Sequence, residues 1–323
     1  MNTKYLSTFL SGTSPLVKSA LEKSIISPKI LLELDGLVAY ETAVEPGKLL
    51  NFKFLNNSFI LVKQFSNADE NCFKIMFSWA EENGFSGARD TLKNFNFKNF
   101  RVIISDANQL VSYDRKSIVK IEKRVKQDLG LNVNRLNPDT EVWFLRRSEG
   151  YCFLLIRLTN NSKVEHRSRG QLRPELANLM CLFASLASSD VILDPFAGHG
   201  TIVDQLQGFP HSKILAYEQD LDESALVIKK DFFENDIPSE FVTKIITDPP
   251  WGLFDLNVNI EELYSKMFSE FERLLTKNGE IVILLSRDYD LNSLLEKHSF
   301  VIKSFFEILV SGKKATLYKL VKR

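Results

Sequence analysis

Residues 247–252 of this 323-residue chain read Thr-Asp-Pro-Pro-Trp-Gly, directly after the apolar pair Ile245-Ile246. A plain turn has no need of an aromatic ring beside two prolines and a glycine. The loop suits an amino group conjugated to a ring, a poor nucleophile because its lone pair is delocalised. The Asp248 carboxylate and the Pro249 carbonyl would accept the two amine hydrogens, aim the lone pair and stabilise the positive charge that develops as the nitrogen pyramidalises. Pro249 and Pro250 hold such a loop stiff, and Trp251 offers a face on which a flat base can stack. Asp248, Pro249, Pro250 and Trp251 are therefore the candidate catalytic residues.

A second constellation lies upstream. The apolar run 191–193 leads into Asp194-Pro195-Phe196-Ala197-Gly198-His199-Gly200-Thr201, which reads as a buried strand, an acid, a glycine-rich turn and a helix start. Glycines at 198 and 200 allow close backbone approach to a ligand, and the amides of a helix N-terminus favour electron-rich groups. The turn lacks the GxGxxG of dinucleotide enzymes and the Gly-Lys-Ser/Thr of a phosphate loop. Asp194 would repel a pyrophosphate but suits a ligand with a cationic amino-acid end, of which S-adenosylmethionine is one. Its sulfonium is already activated, so positioning would carry most of the catalysis and no metal is expected.

Further along, Glu218 closes a second strand with a carboxylate placed to accept ribose hydroxyls. Asp231 is a candidate for the adenine amino group and Phe232 for the ring, and the short interval from Glu218 to Asp231 implies a trimmed helix. The cofactor-binding candidates are Asp194, Pro195, Phe196, Gly198, Gly200, Thr201, Glu218, Asp231 and Phe232. His199 reads as a tolerated loop residue, and His166, His211 and His298, which have no partner spacing, as surface or loop residues.

These groups need a scaffold. From residue 191 onward strand and helix patterns alternate, with strands at 191–193, 214–217, 244–247 and 280–285 and helices from 201 and over 261–275. Such alternation predicts an α/β domain with a mostly parallel, Rossmann-like sheet covered on both faces. Strands at 300–309 and 315–321 form a C-terminal antiparallel hairpin. Ahead of them, residues 174–186 form a buried helix with proline in its first turn. The polar stretch 160–170 has no periodic pattern and marks a domain boundary.

The first half reads differently. Short apolar runs broken by turn signals make residues 1–65 a small α+β segment. Residues 66–160 follow as a second unit, with helices at 72–82 and 89–93, a strand at 100–105, an amphipathic helix at 113–129 closed by Gly130, and a hairpin of strands at 140–146 and 150–158. Residues 161–323 complete the chain.

Formal net charge is zero, yet residues 1–160 carry 22 basic and 17 acidic side chains, against 19 and 24 in the remainder. A phosphate backbone feels the local field and not the average. Lys120, Lys123, Arg124, Arg167, Arg169 and Arg173 lie in the most basic stretch and are the candidate RNA contacts. Cys72, Cys152 and Cys181 have neither disulfide nor zinc spacing, and the absence of a long apolar run or signal segment leads to the expectation of a cytoplasmic protein.

DPFAGHGT resembles the first motif of class I amino-methyltransferases, and DPPW resembles their Asp/Asn/Ser-Pro-Pro-aromatic motif. The likeness covers about residues 170–323. Residues 129–139, followed by a hairpin, look like the end of a THUMP domain, an RNA-binding module, and residues 34–37 with Asn56-Asn57 are similar to the ferredoxin-like segment that precedes one. Leu172-Arg173-Pro174-Glu175-Leu176-Ala177 matches the same family's linker. The resemblance implies a THUMP-containing, S-adenosylmethionine-dependent tRNA guanine-N2 methyltransferase. Adenine-N6 methylation of rRNA or DNA, methylation of a protein amide and a catalytically silent RNA-binding protein are the competing readings. Oligomeric state is not legible in the sequence.

Overall fold

A computed structural model of the chain describes residues 2–25, 28–66, 71–159, 171–219, 226–252 and 259–323. The chain divides into two compact units, Met1–Phe9 with Leu21–His166 and Leu10–Ala20 with Arg167–Arg323.

The first unit is built on one sheet. In chain order its elements, with the helix that precedes the second strand, are β1 (Thr3–Thr8), α1 (Ser14–Ser24), β2 (Lys29–Leu34), β3 (Leu37–Thr42), α2 (Pro46–Leu49), β4 (Asn57–Ser66), α3 (Cys72–Asn83), α4 (Arg89–Leu92), β5 (Asn99–Asp106), β6 (Gln109–Leu110), α5 (Arg115–Leu129), β7 (Asn132–Val133), β8 (Thr140–Arg146) and β9 (Tyr151–Arg157). Among the described residues the strand order is β2-β3-β1-β4-β9-β8-β5-β6, with β7 against β5. Segments 1–65 and 66–160 thus share a sheet, joined where β4 pairs antiparallel with β9 from Phe59↔Arg157 to Ser66↔Tyr151.

The amphipathic helix α5 is well stopped at both ends. Asp114 caps it by accepting from the Ser117 amide at 2.8 Å, and Gly130 ends it in the left-handed conformation. Arg124, a candidate RNA contact, is engaged inside the fold: its Nε donates to Asp128 at 2.9 Å and its Nη1 to the Glu81 carbonyl at 2.8 Å. Lys120 reaches Glu81 at 3.1 Å but stays mostly exposed, and Lys123 is exposed.

The second unit carries α6 (Pro174–Ala184), β10 (Val191–Asp194), α7 (Thr201–Leu206), β11 (Lys213–Glu218), β12 (Ile228–Lys229), β13 (Val242–Thr247), α8 (Ile260–Leu274), β14 (Leu275–Ser286), α9 (Leu291–Leu295), β15 (Phe300–Val310) and β16 (Lys313–Lys322). Its strand order is β12-β11-β10-β13-β14-β16-β15, parallel from β12 to β14 and antiparallel beyond. Successive strand residues face opposite ways, so a sheet buried on both sides needs continuous apolar runs. Ile192 and Ile246 pack on α6 with Leu176 and Met180, whereas Leu193 and Ile245 pack on α8 with Phe268 and Phe271.

His298 lies in the loop between α9 and β15, one of its two expected settings, but is turned inward. Its side chain is 6% exposed, lies against Phe268 and meets Glu272 at 3.1 Å. No helix among the described residues is long and apolar enough to cross a membrane. Cys72, Cys152 and Cys181 are buried, and none of them is in a disulfide with a described residue.

An ionic knot ties the sheet's antiparallel edge to its parallel part. The buried Glu280 carboxylate on β14 accepts from Lys244 on β13, from Lys303 on β15 at 2.8 Å and from Lys319 on β16 at 3.2 Å. These ammonium groups hold its pKa down to about 2, against the cost of burial. A depressed carboxylate pKa adds stability that is complete above the unfolded value, near 4.5, and is lost as the pH falls through the folded one. Glu280→Gln should therefore cost about 2 to 3 kcal/mol near neutral pH. Denaturant titrations should find the deficit shrinking as the pH drops from about 5 toward about 2; a pH-independent deficit would assign the loss to packing.

Candidate active site

Strand order in the second unit reverses at β10, which has β11 on one side and β13 on the other. In open parallel sheets ligands bind in the crevice outside the C-terminal ends of the strands at such a switch point. The chain leaves β10 at Asp194 and β13 at Thr247-Asp248, so the two motifs found in the sequence come together there.

Asp194 is fully buried. Its Oδ1 accepts from the Phe196 amide at 3.4 Å, while Oδ2 and the buried Thr247 hydroxyl interact without a hydrogen bond of ordinary geometry to any described residue. Burial raises the Asp194 pKa to about 7, with the Asp248 and Glu218 charges adding to it and the Thr247 hydroxyl and Phe196 amide opposing it. A buried carboxylate at the C-terminal end of β10 with no cationic partner among the described residues fits a cationic ligand.

The turn after Asp194 is open where a ligand would lie. Pro195 is buried, and Gly198 has φ of +51° with nothing within 4 Å of where a Cβ would stand. Its amide donates to Glu218 Oε2 at 2.9 Å, which ties the turn to the end of β11. Gly200 is the N-cap of α7, and Thr201, its first residue, is buried with its hydroxyl 3.5 Å from the Gln171 amide nitrogen. His199 is exposed.

Asp231 accepts from the Phe233 amide at 2.9 Å and so starts a short 3₁₀ turn, Phe232–Glu234. The Phe232 ring, expected as a ligand-stacking face, is 2% exposed and sits in the core within 6.2 Å of Tyr217, Phe271 and Phe196. Phe196 and Phe233 are the partly buried rings of this group. The alternation of apolar residues around 232 cannot tell which of two adjacent rings turns inward.

The Asp248–Trp251 loop differs from its expected form. The Trp251 indole N–H donates to Asp248 Oδ1 at 3.0 Å, and the ring packs against the cluster that includes Ile246 and Leu284. Tyr264 on α8, which the sequence did not single out, donates its hydroxyl to the Pro250 carbonyl at 2.9 Å. Gly252 follows at φ of +71°, and a Cβ there would come within 2.7 Å of Ile260 Cγ1, so a side chain would have to displace Ile260 of α8. Burial pushes the Asp248 pKa up to about 7, against the indole hydrogen bond.

Arg173 immediately precedes α6, with its Nε 3.5 Å from Glu175. Arg167 and Arg169 lie outside the described residues. No group of three metal-ligating side chains occurs among the described residues.

A profile of the UPF0020 family, an RMKL-like methyltransferase domain, matches residues 220–315. The U6 snRNA (guanine-N(2))-methyltransferase THUMPD2 of Bos taurus is 29% identical over 183 residues, 50% of this chain and 35% of that one, so the match spans about a third of that relative. The probable tRNA (guanine(10)-N2)-dimethyltransferase of Methanothermococcus thermolithotrophicus is 30% identical over 149 residues, 38% of this chain and 88% of that protein. Among solved structures, TrmN from Thermus thermophilus superposes with a TM-score of 0.78 over 99% of this chain and all of its own at 18% identity. SMU.472, a putative methyltransferase complexed with SAH, gives 0.69 at 13% identity over 100% of this chain and 98% of its own. The fold is that of these methyltransferases, and the extent of the archaeal match places the chain in the guanine-N2 methyltransferase family of S-adenosylmethionine-dependent enzymes.

Proposed function

We propose that the chain methylates the exocyclic N2 of guanine in a structured RNA, with tRNA the favoured substrate. The observation that carries this reading is the pair Asp194 and Asp248 at adjacent strand ends of the switch point, one followed by a turn with open space at Gly198 and one on a double-proline loop. S-adenosylmethionine would supply an electrophilic methyl group there.

Asp194, Gly198 and Glu218 would hold the cofactor, with Asp231 near its adenine. Asp248 and the Pro249 carbonyl take the two amine hydrogens and direct the nitrogen lone pair at the methyl carbon. Transfer of the methyl to nitrogen would leave the C–S electron pair on the cofactor's sulfur and make the nitrogen cationic. Asp248 stabilises that charge and, with a pKa near 7, is basic enough to take the departing proton. Incubation with methyl-labelled cofactor and RNA, DNA or protein in parallel tests the substrate class: label in RNA alone is expected, and label only in DNA or protein would refute it.

In this reading the first unit, a THUMP-like module with its preceding ferredoxin-like strands, captures the RNA. Lys120 and Lys123 lie one turn apart on the outer face of α5, while Arg124 is held by Asp128 and Glu81 and is left out of the contact set. Lys120→Glu with Lys123→Glu should lower the log-log salt slope of RNA binding by about two, one for each lost phosphate contact. Cofactor affinity should not change. An unaltered slope in a salt-titrated binding assay would mean that RNA docks elsewhere.

A further inference from the structure

Two hydrogen bonds to acceptors on the amine-accepting loop have no role in that scheme. The Trp251 indole N–H occupies Asp248 Oδ1 at 3.0 Å, and the Tyr264 hydroxyl occupies the Pro250 carbonyl at 2.9 Å. Tyr264 is 1% exposed, and its ring meets Tyr289 edge to face at 4.7 Å, so its hydroxyl is set by α8 and by the segment after β14. Among the described residues Asp248 Oδ2 and the Pro249 carbonyl accept no hydrogen bond. Within the described residues these are the two acceptors that a planar amine requires.

We propose that Trp251 and Tyr264 are the positioning residues of the transfer. The indole fixes the carboxylate through one oxygen and leaves the other for the amine. The phenol ties down the second proline's carbonyl and thereby sets the peptide that presents the first. The inference rests on the amine-directed reading above, and it gives Trp251 a task that a phenylalanine stacking face could not perform.

The groups that face Asp248 sharpen the test. Asp194 stands at the end of β10, with Glu218 of β11 acting on it, and Tyr264 faces Asp248 from α8. The indole is the hydrogen-bond donor to Asp248 among the described residues. Without it the carboxylate ionises less readily, so the pH at which transfer switches on must rise. Lost packing alone has no reason to move that pH.

Single-turnover methylation of RNA at saturating cofactor, from about pH 5.5 to about pH 9, decides the matter for Trp251→Phe and Tyr264→Phe. Trp251→Phe keeps a ring and should move the midpoint of the acid limb upward by on the order of one pH unit, recovering to within about threefold of the parental rate on the alkaline plateau. Tyr264→Phe should lower the rate constant about tenfold at every pH while the RNA concentration for half-saturation stays unchanged. Melting temperature and cofactor affinity are recorded beside each, and a tenfold loss confined to a protein of parental stability supports the role. A parental profile in either variant overturns the inference while leaving guanine methylation intact. Absence of label in RNA with the parental protein overturns the underlying reading and the inference with it.

Discussion

Asp248→Ala is expected to slow single-turnover methylation by about 10² to 10³-fold, the loss typical of one electrostatic contact made chiefly in the transition state. The carboxylate matters most when the amine nitrogen becomes cationic, so cofactor affinity should change little. RNA affinity should also survive, because phosphate contacts dominate it and none of them is proposed at this loop. The structure adds a control. Removing the carboxylate leaves the Trp251 indole N–H without its acceptor, a cost of about 1 to 3 kcal/mol if it stays buried, so some loss of stability is expected beside the loss of rate. Asp248→Asn retains an oxygen for the indole and separates the two effects: its melting temperature should approach the parental value while its rate stays low. A parental rate in Asp248→Ala would exclude an amine-directed mechanism and turn attention to a carbon or ribose-hydroxyl target.

Gly198→Leu is expected to weaken S-adenosylmethionine binding by at least about 100-fold. The position offers a clean test because the two consequences of a side chain can be separated. Nothing lies within 4 Å of the Cβ site, so the first added atom meets no neighbour. The backbone at φ of +51° is strained for leucine by about 1 to 2 kcal/mol, which a protein of ordinary stability survives. What the side chain would occupy is the open space at Gly198, where the cofactor is proposed to lie. Calorimetry on the folded variant should find binding lost, and Gly198→Ala, which carries the same backbone strain with less bulk, should bind with intermediate affinity. Undiminished affinity in Gly198→Leu would mean that the cofactor lies elsewhere.

The parts of this molecule that could be read from sequence are those that local chemistry determines. The parallel strands announce themselves because a sheet covered on both faces must be apolar at every position, as Ile192-Leu193 and Ile245-Ile246 are. The ends of α5 are legible because Asp114 and Gly130 satisfy backbone groups only a few residues away. Asp194 and Asp248 stand out since each breaks an apolar strand with a charge that packing does not require.

What was hidden depends on contacts between distant segments. Arg124 looks like any helical arginine until Glu81, 43 residues earlier, supplies a carbonyl. His298 has no signal in its neighbourhood, because Glu272 reaches it across 26 residues. Tyr264 reads as one more apolar-face residue of α8, and only the path of the proline loop brings a carbonyl to its hydroxyl. The short elements β12 and α9 are too brief for a period to register. Trp251 is the instructive case: its type pointed correctly to the loop, but a ring that can stack can also donate, and the turn geometry decides that its N–H meets Asp248.

The central claim is that the nitrogen presented to Asp248 is the exocyclic amine of guanine. Purified protein, methyl-labelled S-adenosylmethionine and unmodified tRNA transcripts, followed by digestion to nucleosides and mass spectrometry, test it most directly. Label is expected in N2-methylguanosine or N2,N2-dimethylguanosine, appearing about 10² to 10³-fold more slowly in Asp248→Ala. Label confined to N6-methyladenosine, to a ribose or to a ring carbon would contradict it.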